Sequence, residues 1–252
     1  MENKTIIIVQ ARLTSTRFPN KILKKIWKDT LIEILLKRLS LCKAVDQIVL
    51  AIPGNKKNKI LSKILKSNIP VFYGSENDVL DRYYKAAKKF KATYIVRISG
   101  DCPLIDPKVI DKAVDFFKTN KFDYVSNTIK PTYPDGLDVE VFNFESLKKA
   151  WKKAKIPSDR EHVTKYILNN KNLKKKNFKY INNLSFLRLT VDEKIDLEQV
   201  KQIYYKLKKN KNFGIEEINK LYKKNPKIFK INSAIKRNEG SVLSTGQKLW
   251  KR

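Results

Sequence analysis

Short apolar strands alternate with amphipathic helices over the first half of this chain, and this alternation limits the folds that it can adopt. Thr5–Gln10 is a β-branched apolar run of the type that lies in the middle of a parallel sheet. Amphipathic segments follow, the first at Thr30–Cys42. Parallel sheets built in this way carry helices on both faces. The pattern therefore predicts an α/β fold of three layers with a mainly parallel central sheet.

Apolar runs of strand length and apolar residues spaced three or four apart, as in a helix, predict the remaining elements. Further strands are expected at Asp46–Ile52, Ile69–Tyr73, Thr93–Ile98, Asp123–Asn127, Phe178–Asn182 and Leu187–Val191. Further helices are expected at Lys57–Ser67, Asn77–Phe90, Pro107–Thr119, Asn143–Ala154, Arg160–Asn170, Ile195–Lys209 and Ile215–Lys224. Leu137–Phe142 alternates between apolar and acidic residues, which predicts a half-exposed strand. Residues 238–252 lose the periodicity, so we expect one domain at 1–237, with a small lobe at about 128–185, and a C-terminal tail.

The chain carries a formal net charge of +30, which by itself would indicate a nucleic acid or an anionic membrane as partner. Of its 55 cations, however, 46 are lysines that are spread through every predicted helix and loop. No base-reading motif accompanies the densest runs, Lys148–Lys155 and Lys171–Lys179. We therefore expect no specific nucleic acid partner. A basic nucleic-acid-binding protein without catalysis remains the alternative from another functional class.

Hydropathy and cysteine content indicate a cytoplasmic protein. The sequence has no run near 18 apolar residues and no charged leader with an apolar signal region, so we expect neither a membrane span nor a membrane partner. Cys42 and Cys102 have no spacing typical of a zinc site or a disulfide scaffold. Both are predicted to be free thiols.

A loop rich in cations and hydroxyl groups follows the first strand. It carries Arg12, Ser15, Thr16, Arg17 and Lys21. Open α/β sheets bind ligands beyond the carboxyl ends of their strands, where this loop is expected to lie. Burying three cations without an anion would be costly, so the loop either stays solvated or meets an anionic partner. We interpret it as a binding site for a polyphosphate.

Acidic residues follow two later strands. Asp101 lies just past the strand Thr93–Ile98, after Ser99 and Gly100. Asp192 comes directly after the strand Leu187–Val191. Mg²⁺ prefers oxygen ligands and takes one or two carboxylates from protein, with phosphate and water completing its shell. Convergence of the two acids opposite the phosphate loop would make a magnesium site, whereas the alternative for each is a turn residue. Both common glycine-rich phosphate signatures are absent from the sequence, which argues against a dinucleotide enzyme or a P-loop NTPase.

Five motifs occur in order along nearly the whole chain. They read QARLTSTRFPNKIL, VRISGDCPLIDP, PTYPDGLDVEVF, SDREHVTKYI and RLTVDEKIDLEQV. Together they resemble the cytidylyltransferase family that activates acidic sugars, most closely its spore coat polysaccharide branch, and its relatives that act on 3-deoxy-manno-octulosonate and neuraminate-like acids. The resemblance implies a Rossmann-like nucleotidyltransferase domain. It also implies transfer of a cytidylyl group from CTP to a sugar acid, with Mg²⁺ as cofactor and pyrophosphate as product.

The resemblance further implies roles for individual residues. Lys21, Arg12 and Asp101 would be catalytic, and Asp101 and Asp192 would bind the metal. The nucleotide would be bound by Gln10, Ala11, Arg12, Ser15, Thr16, Arg17, Lys21, Gly74, Arg97 and Gly100. The acceptor would be bound by Asp135, Asp138, Glu140, Arg160 and His162. A structural role for Asp138, Glu140 and His162 is the alternative, because charged residues on strands and helices are often merely solvated or paired.

The sequence departs from the family pattern at two places. Phe18 stands where leucine is usual, and the last motif reads V-D-E-K-I-D where relatives tend to have D-T-P-E-D. The lobe resembles one through which relatives form homodimers. The tail, residues 238–252, resembles a junction that leads into a pyridoxal-phosphate aminotransferase-like domain, so a pathway aminotransferase is a predicted partner and an inert tail is the alternative. Another nucleotide, or a non-sugar or sugar-phosphate acceptor, remains the enzymatic alternative.

Overall fold

In a computed structural model, which describes residues 3–65 and 68–237, seven strands form one mixed sheet at the centre of the molecule. The strands of the described residues are β1 (Thr5–Gln10), β2 (Lys25–Ile26), β3 (Asp29–Thr30), β4 (Gln47–Pro53), β5 (Val71–Gly74), β6 (Tyr94–Ser99), β7 (Tyr124–Ser126), β8 (Glu140–Asn143) and β9 (Lys175–Asn177). The sheet order is β5-β4-β1-β6-β8-β7-β9, and β2 pairs separately with β3. Every neighbouring pair in the large sheet is parallel except the two that β8 makes. The predicted α/β fold with a mainly parallel sheet is confirmed.

Helices cover both faces of this sheet. They are α1 (Leu31–Leu39), α2 (Lys56–Ile64), α3 (Val79–Lys89), α4 (Pro107–Asn120), α5 (Phe144–Lys153), α6 (Pro157–Glu161), α7 (Lys165–Asn169), α8 (Lys194–Leu207) and α9 (Ile215–Lys224). One apolar cluster contains residues of α1, α4, α8 and α9, and a second contains residues of α3, α5 and α7. The three layers predicted from the sequence are therefore present.

The position of β1 inside the sheet, between β4 and β6, explains why its apolar run is continuous. Ile7 and Val9 belong to one cluster, Ile6 and Ile8 belong to the other, and all four are fully buried. A strand covered on both faces has no solvent side for polar residues. β1 is therefore an internal strand of the sheet, and its carboxyl end lies at Gln10.

The prediction of a half-exposed strand at Leu137–Phe142 is wrong. The strand begins at Glu140 and lies inside the sheet between β6 and β7. Leu137, Val139 and Val141 are fully buried on one face, as predicted, but Phe142 is also fully buried in the second cluster. The acidic residue in this strand reflects an internal ion pair rather than a solvent-facing side.

Three further predictions are wrong in the second half of the chain. The helix expected at Arg160–Asn170 is divided into α6 and α7, because Val163 between them has φ 57°, outside the helical region. Neither Phe178–Asn182 nor Leu187–Val191 is a strand. The second segment is buried throughout, but it makes only an isolated bridge between Asp135 and Arg188.

The predicted limits of the domain and its lobe stay predictions. β8 and β9, which fall within or beside the predicted lobe, join the same large sheet. The predicted tail at 238–252 lies outside the described residues. Among the described helices, none has the length and apolar character needed to cross a membrane.

Candidate active site

A cleft of about 280 Å³ opens at the carboxyl ends of β1 and β6. This position agrees with the rule that open α/β sheets bind ligands beyond their strand ends. Of the predicted site residues, the cleft is lined by Gln10, Ala11, Arg12, Ser15, Thr16, Arg17, Lys21, Arg97, Gly100, Asp101, His162 and Asp192. The structure thus brings together nearly all the predicted nucleotide and metal residues.

The phosphate loop between β1 and Lys21 is fixed by a few buried residues. Leu13, Phe18 and Ile22 are buried in the core, and the backbone N–H of Leu13 donates to Oδ1 of the fully buried Asn58 at 2.7 Å. Asn20 has φ 56°, a left-handed conformation that asparagine tolerates better than most residues. These anchors leave the intervening cations and hydroxyl groups facing the cleft.

Lys21 lies between the two predicted metal carboxylates. Its Nζ donates to Asp101 Oδ2 at 2.6 Å and to Asp192 Oδ1 at 2.7 Å. The guanidinium of Arg17 also contacts Asp192 Oδ1, at 2.9 Å. Residues far apart in the sequence therefore form one charged cluster at the floor of the cleft.

The ionisation of this cluster follows from its pairing. Burial opposes the charged form of Lys21, but Asp101 and Asp192 outweigh burial and raise the Lys21 pKa. Burial by itself would raise the pKa of Asp101, whereas Lys21 and a hydrogen bond from Ser99 lower it to about 2. Lys21 is therefore a cation, and Asp101 an anion, throughout the neutral range.

Close backbone packing places the two carboxylates. The N–H of Gly100 donates to the carbonyl of Gln10 at 2.8 Å, and a Cβ at Gly100 would lie 2.9 Å from that same oxygen. Only glycine fits this approach, which holds Asp101 beside the start of the phosphate loop. The N–H of Val191 donates to the carbonyl of Asp101 at 2.9 Å. This bond brings Asp192 next to Asp101.

Behind Asp192, the buried Arg188 contacts three carboxylates. Its guanidinium donates to Asp135 at 2.8 Å, to Asp192 at 2.9 Å and to Asp196 at 2.9 and 3.1 Å. The arginine was not predicted as a site residue, because neither the sequence position nor the residue type shows what a side chain will meet. It links the predicted acceptor residue Asp135 to the predicted metal residue Asp192.

Most predicted acceptor residues lie outside the cleft wall and are paired within the protein. Arg97 Nη1 donates to Glu140 Oε2 at 2.9 Å, and Arg237 binds Asp138. Arg160 Nε donates to Asp78 at 2.9 Å, which ties α6 to the start of α3. Among the predicted acceptor residues Asp135, Asp138, Glu140, Arg160 and His162, only His162 lines the cleft.

Arg82 is a cleft residue that the sequence did not indicate. Its side chain extends from α3 into the wall and is 2% exposed, while its Nε has no hydrogen-bond partner among the described residues. Burial lowers the pKa of Arg82. Gly74 does not line the cleft, but a Cβ there would lie 2.8 Å from Arg82 Cγ. Gly74, predicted to bind the nucleotide, leaves space for the side chain of Arg82, and its contact with a nucleotide stays a prediction.

Comparison with known proteins gives matches over nearly the whole chain. Residues 6–237 match a family model described as cytidylyltransferase. An uncharacterized protein of Methanocaldococcus jannaschii is 42% identical, with 92% of this chain and 96% of that protein covered. The spore coat polysaccharide biosynthesis protein SpsF of Bacillus subtilis is 31% identical, with 89% and 96% covered. A 3-deoxy-manno-octulosonate cytidylyltransferase of Rickettsia bellii is 32% identical over 49% of this chain and 52% of that protein.

A solved structure extends the comparison to the fold. The structure of a cytidylyltransferase from Leptospira borgpetersenii has a TM-score of 0.87 and 33% sequence identity, and the match covers 90% of this chain and 97% of that one. The sequence, the fold and the charged cleft lead to the same conclusion. The chain belongs to the cytidylyltransferase family and is a CTP-dependent nucleotidyltransferase.

Proposed function

We propose that this enzyme transfers the cytidylyl group of CTP to a hydroxyl group of an acidic sugar and releases pyrophosphate, as a step in surface polysaccharide or glycan biosynthesis. The observation that carries the proposal is the cleft in which Lys21 lies between Asp101 and Asp192 beside a cationic loop. The name of the SpsF relative supports a polysaccharide pathway, and that of the Rickettsia relative supports a keto-sugar acid as acceptor.

The chain's own cations supply the electrostatic part of the reaction. When an acceptor oxygen attacks the α-phosphorus, negative charge grows on the oxygen that bridges to the leaving pyrophosphate. Arg12 and Arg17 line the cleft on the loop side, and Lys21 lies at its floor. Cations held close to the reacting phosphates stabilise that charge more effectively than water, which has to reorganise. We assign Arg12, Arg17 and Lys21 to the phosphates.

The donor set at the cleft floor fits a divalent cation such as Mg²⁺. One oxygen of Asp101 and one of Asp192 lie within 2.7 Å of a single point, Lys21 Nζ, so the two carboxylates already converge on a cation-sized position. No group of three or more potential ligands occurs among the described residues. Two carboxylates suffice for Mg²⁺ when phosphate and water complete its shell. Bound there by Asp101 and Asp192, the ion would neutralise phosphate charge.

The test measures pyrophosphate release from CTP, ATP, GTP and UTP in the presence of Mg²⁺, with keto-sugar acids, neutral sugars and sugar phosphates as acceptors. We expect turnover with CTP and at least one sugar acid, and mass spectrometry should detect the CMP-sugar acid. Faster turnover with another nucleotide, or with sugar phosphates alone, would overturn the proposal. So would pyrophosphate release that is no faster than in a Lys21→Ala variant.

Two predicted partners accompany this function. The homodimer and the pathway aminotransferase that the resemblance implies stay predictions. Light scattering on the purified protein tests the first, and co-purification with a candidate aminotransferase tests the second.

A further inference from the structure

Arg188 lies behind the cleft residue Asp192 and is fixed by contacts that leave it little freedom. The residue is 6% exposed, and its guanidinium holds both oxygens of Asp196 through Nε and Nη2. Asp196 is itself fully buried and accepts hydrogen bonds from the backbone N–H of Asp192 and of Glu193, each at 2.9 Å. The bidentate pair has a single geometry, unlike a lysine contact. The direction of the remaining N–H groups of Arg188 is therefore fixed as well.

The two oxygens of Asp192 have different neighbours because of this arrangement. Oδ1 faces the cleft, where it contacts Lys21 at 2.7 Å and Arg17 at 2.9 Å. Oδ2 faces the wall, where Arg188 Nη2 donates to it at 2.9 Å. Lys21 and Arg17 are among the residues that line the cleft, whereas Arg188 is held behind the carboxylate by Asp196. One oxygen of Asp192 is thus available to a ligand in the cleft and the other stays occupied.

We propose that Arg188 is a positioning residue that keeps Asp192 a one-oxygen ligand for a metal ion and thereby makes the site favour Mg²⁺ over Ca²⁺. The inference rests on the proposed function, because it requires a divalent ion between Asp101 and Asp192. Mg²⁺ takes six ligands in near-octahedral geometry, whereas Ca²⁺ takes six to eight and often binds both oxygens of a carboxylate. With one oxygen occupied by Arg188, Asp192 can still bind Mg²⁺ through its other oxygen, but it cannot bind Ca²⁺ through both.

The contact between Arg188 and Asp135 further restricts the movement of the Arg188 guanidinium. Arg188 Nη1 donates to Asp135 Oδ2 at 2.8 Å, and the N–H of Leu189 donates to the carbonyl of Asp135 at 2.6 Å. Four of the five N–H groups of Arg188 therefore donate to carboxylates of the protein, which holds the guanidinium beside Asp192 Oδ2. Residues that orient a metal ligand in this way typically affect metal affinity by about 10- to 100-fold.

The test compares metal preference in wild type, Arg188→Gln and Arg188→Lys. Bound Mn²⁺ is measured by electron paramagnetic resonance in the presence of α,β-methylene-CTP, and Mg²⁺ or Ca²⁺ is added as competitor. We expect wild type to favour Mg²⁺ over Ca²⁺ and the ratio of the two competition constants to fall by about tenfold in Arg188→Gln, since Asp192 can then offer both oxygens. Arg188→Lys keeps the buried charge but cannot bridge Asp192 and Asp196 with a rigid fork, so its ratio should fall too.

Arg38→Gln is the matched control for loss of a buried guanidinium. Arg38 is 4% exposed and donates to the carbonyl groups of Ile105 and Phe213 at 2.7 and 2.5 Å, outside the cleft. Its loss should lower stability without changing the metal ratio. If the ratio of the Mg²⁺ and Ca²⁺ competition constants is unchanged in Arg188→Lys, or in Arg188→Gln where that variant folds, the positioning role of Arg188 is wrong. That result would leave the metal-dependent reaction proposed above unaffected. Failure of wild type to bind Mn²⁺ at all overturns the metal-dependent reaction proposed above, and the role of Arg188 with it.

Discussion

The phosphate half and the acceptor half of the predicted site differ in how their charges are satisfied. In the phosphate half, Arg12 and Arg17 are exposed at the cleft, and Lys21 contacts the two carboxylates at its floor. In the acceptor half, Glu140 and Asp138 are each paired with an arginine of the protein. The first arrangement gathers three cations around two carboxylates at an open cleft, with Arg12 unpaired among the described residues, whereas the second pairs each carboxylate with one arginine.

We propose that this difference separates residues that bind the nucleotide from residues that stabilise the fold around the site. An exposed cation such as Arg12 can exchange solvent for a phosphate at little cost, whereas a carboxylate paired with an arginine can bind a substrate only by giving up that ion pair. We therefore expect variants in the phosphate half to lower turnover and variants in the acceptor half to lower stability. Four substitutions test this expectation.

Lys21→Ala removes the cation between Asp101 and Asp192. We expect pyrophosphate release to fall by about a hundredfold or more, because one preorganised stabilising group is lost. Steady-state kinetics with CTP measure the effect. Lys25→Ala is the control, since Lys25 is an exposed lysine close by in the sequence. Equal activity in the two variants would show that Lys21 does not contribute to turnover.

Glu140→Gln removes the carboxylate that pairs with Arg97. Burial alone would lower the Arg97 pKa, but Glu140 outweighs it and raises that pKa, so the pair stabilises the charged guanidinium. Leaving Arg97 unpaired should lower the free energy of unfolding by about 2 kcal/mol, as measured in urea. The exposed Glu145→Gln should change it by less than about 0.5 kcal/mol. A raised acceptor KM with unchanged stability would instead make Glu140 a binding residue.

Asp138→Asn tests the pH dependence of stability. Burial raises the Asp138 pKa from 3.8 to about 7, although Arg237 opposes the shift. The folded protein therefore keeps a proton that the unfolded chain loses, and this carboxyl makes stability fall as pH rises from about 4 to about 7. Because its side chain is 32% exposed, we expect the substitution to remove only about 1 kcal/mol of that fall. Identical thermal unfolding curves for both proteins across this range would contradict the prediction.

Arg160→Lys should have the smallest effect. Arg160 Nε contacts Asp78 in a partly exposed pair, and its Nη1 donates to the carbonyl of Trp151 at 2.7 Å. Lysine keeps the charge but loses the forked contact, which should cost about 0.5 kcal/mol of stability. Kinetics with the identified acceptor should match wild type. A large rise in acceptor KM would show that Arg160 turns into the cleft when substrate binds.

The parts of the site that could be predicted from the sequence have local signals. The strand Thr5–Gln10 and the loop after it are contiguous, and parallel strands bring their carboxyl ends to one edge, so Asp101 was expected near Lys21. Arg82 and Arg188 could not be predicted in this way. The position of Arg82 in the cleft wall depends on its burial, and the role of Arg188 depends on contacts that include Asp135, 53 residues away, so no local pattern indicates either.

The amino-acid sequence alone determined the layered sheet, the position of the phosphate loop and the family, because each depends on periodicity or on contiguous motifs. The tertiary structure decided which charged residues face the cleft and which pair with one another. Alternation in Leu137–Phe142 could not distinguish a solvent-facing acid from one buried against Arg97, since both give the same pattern. The free energy of a charge depends on its surroundings in three dimensions, and those surroundings come from distant parts of the chain.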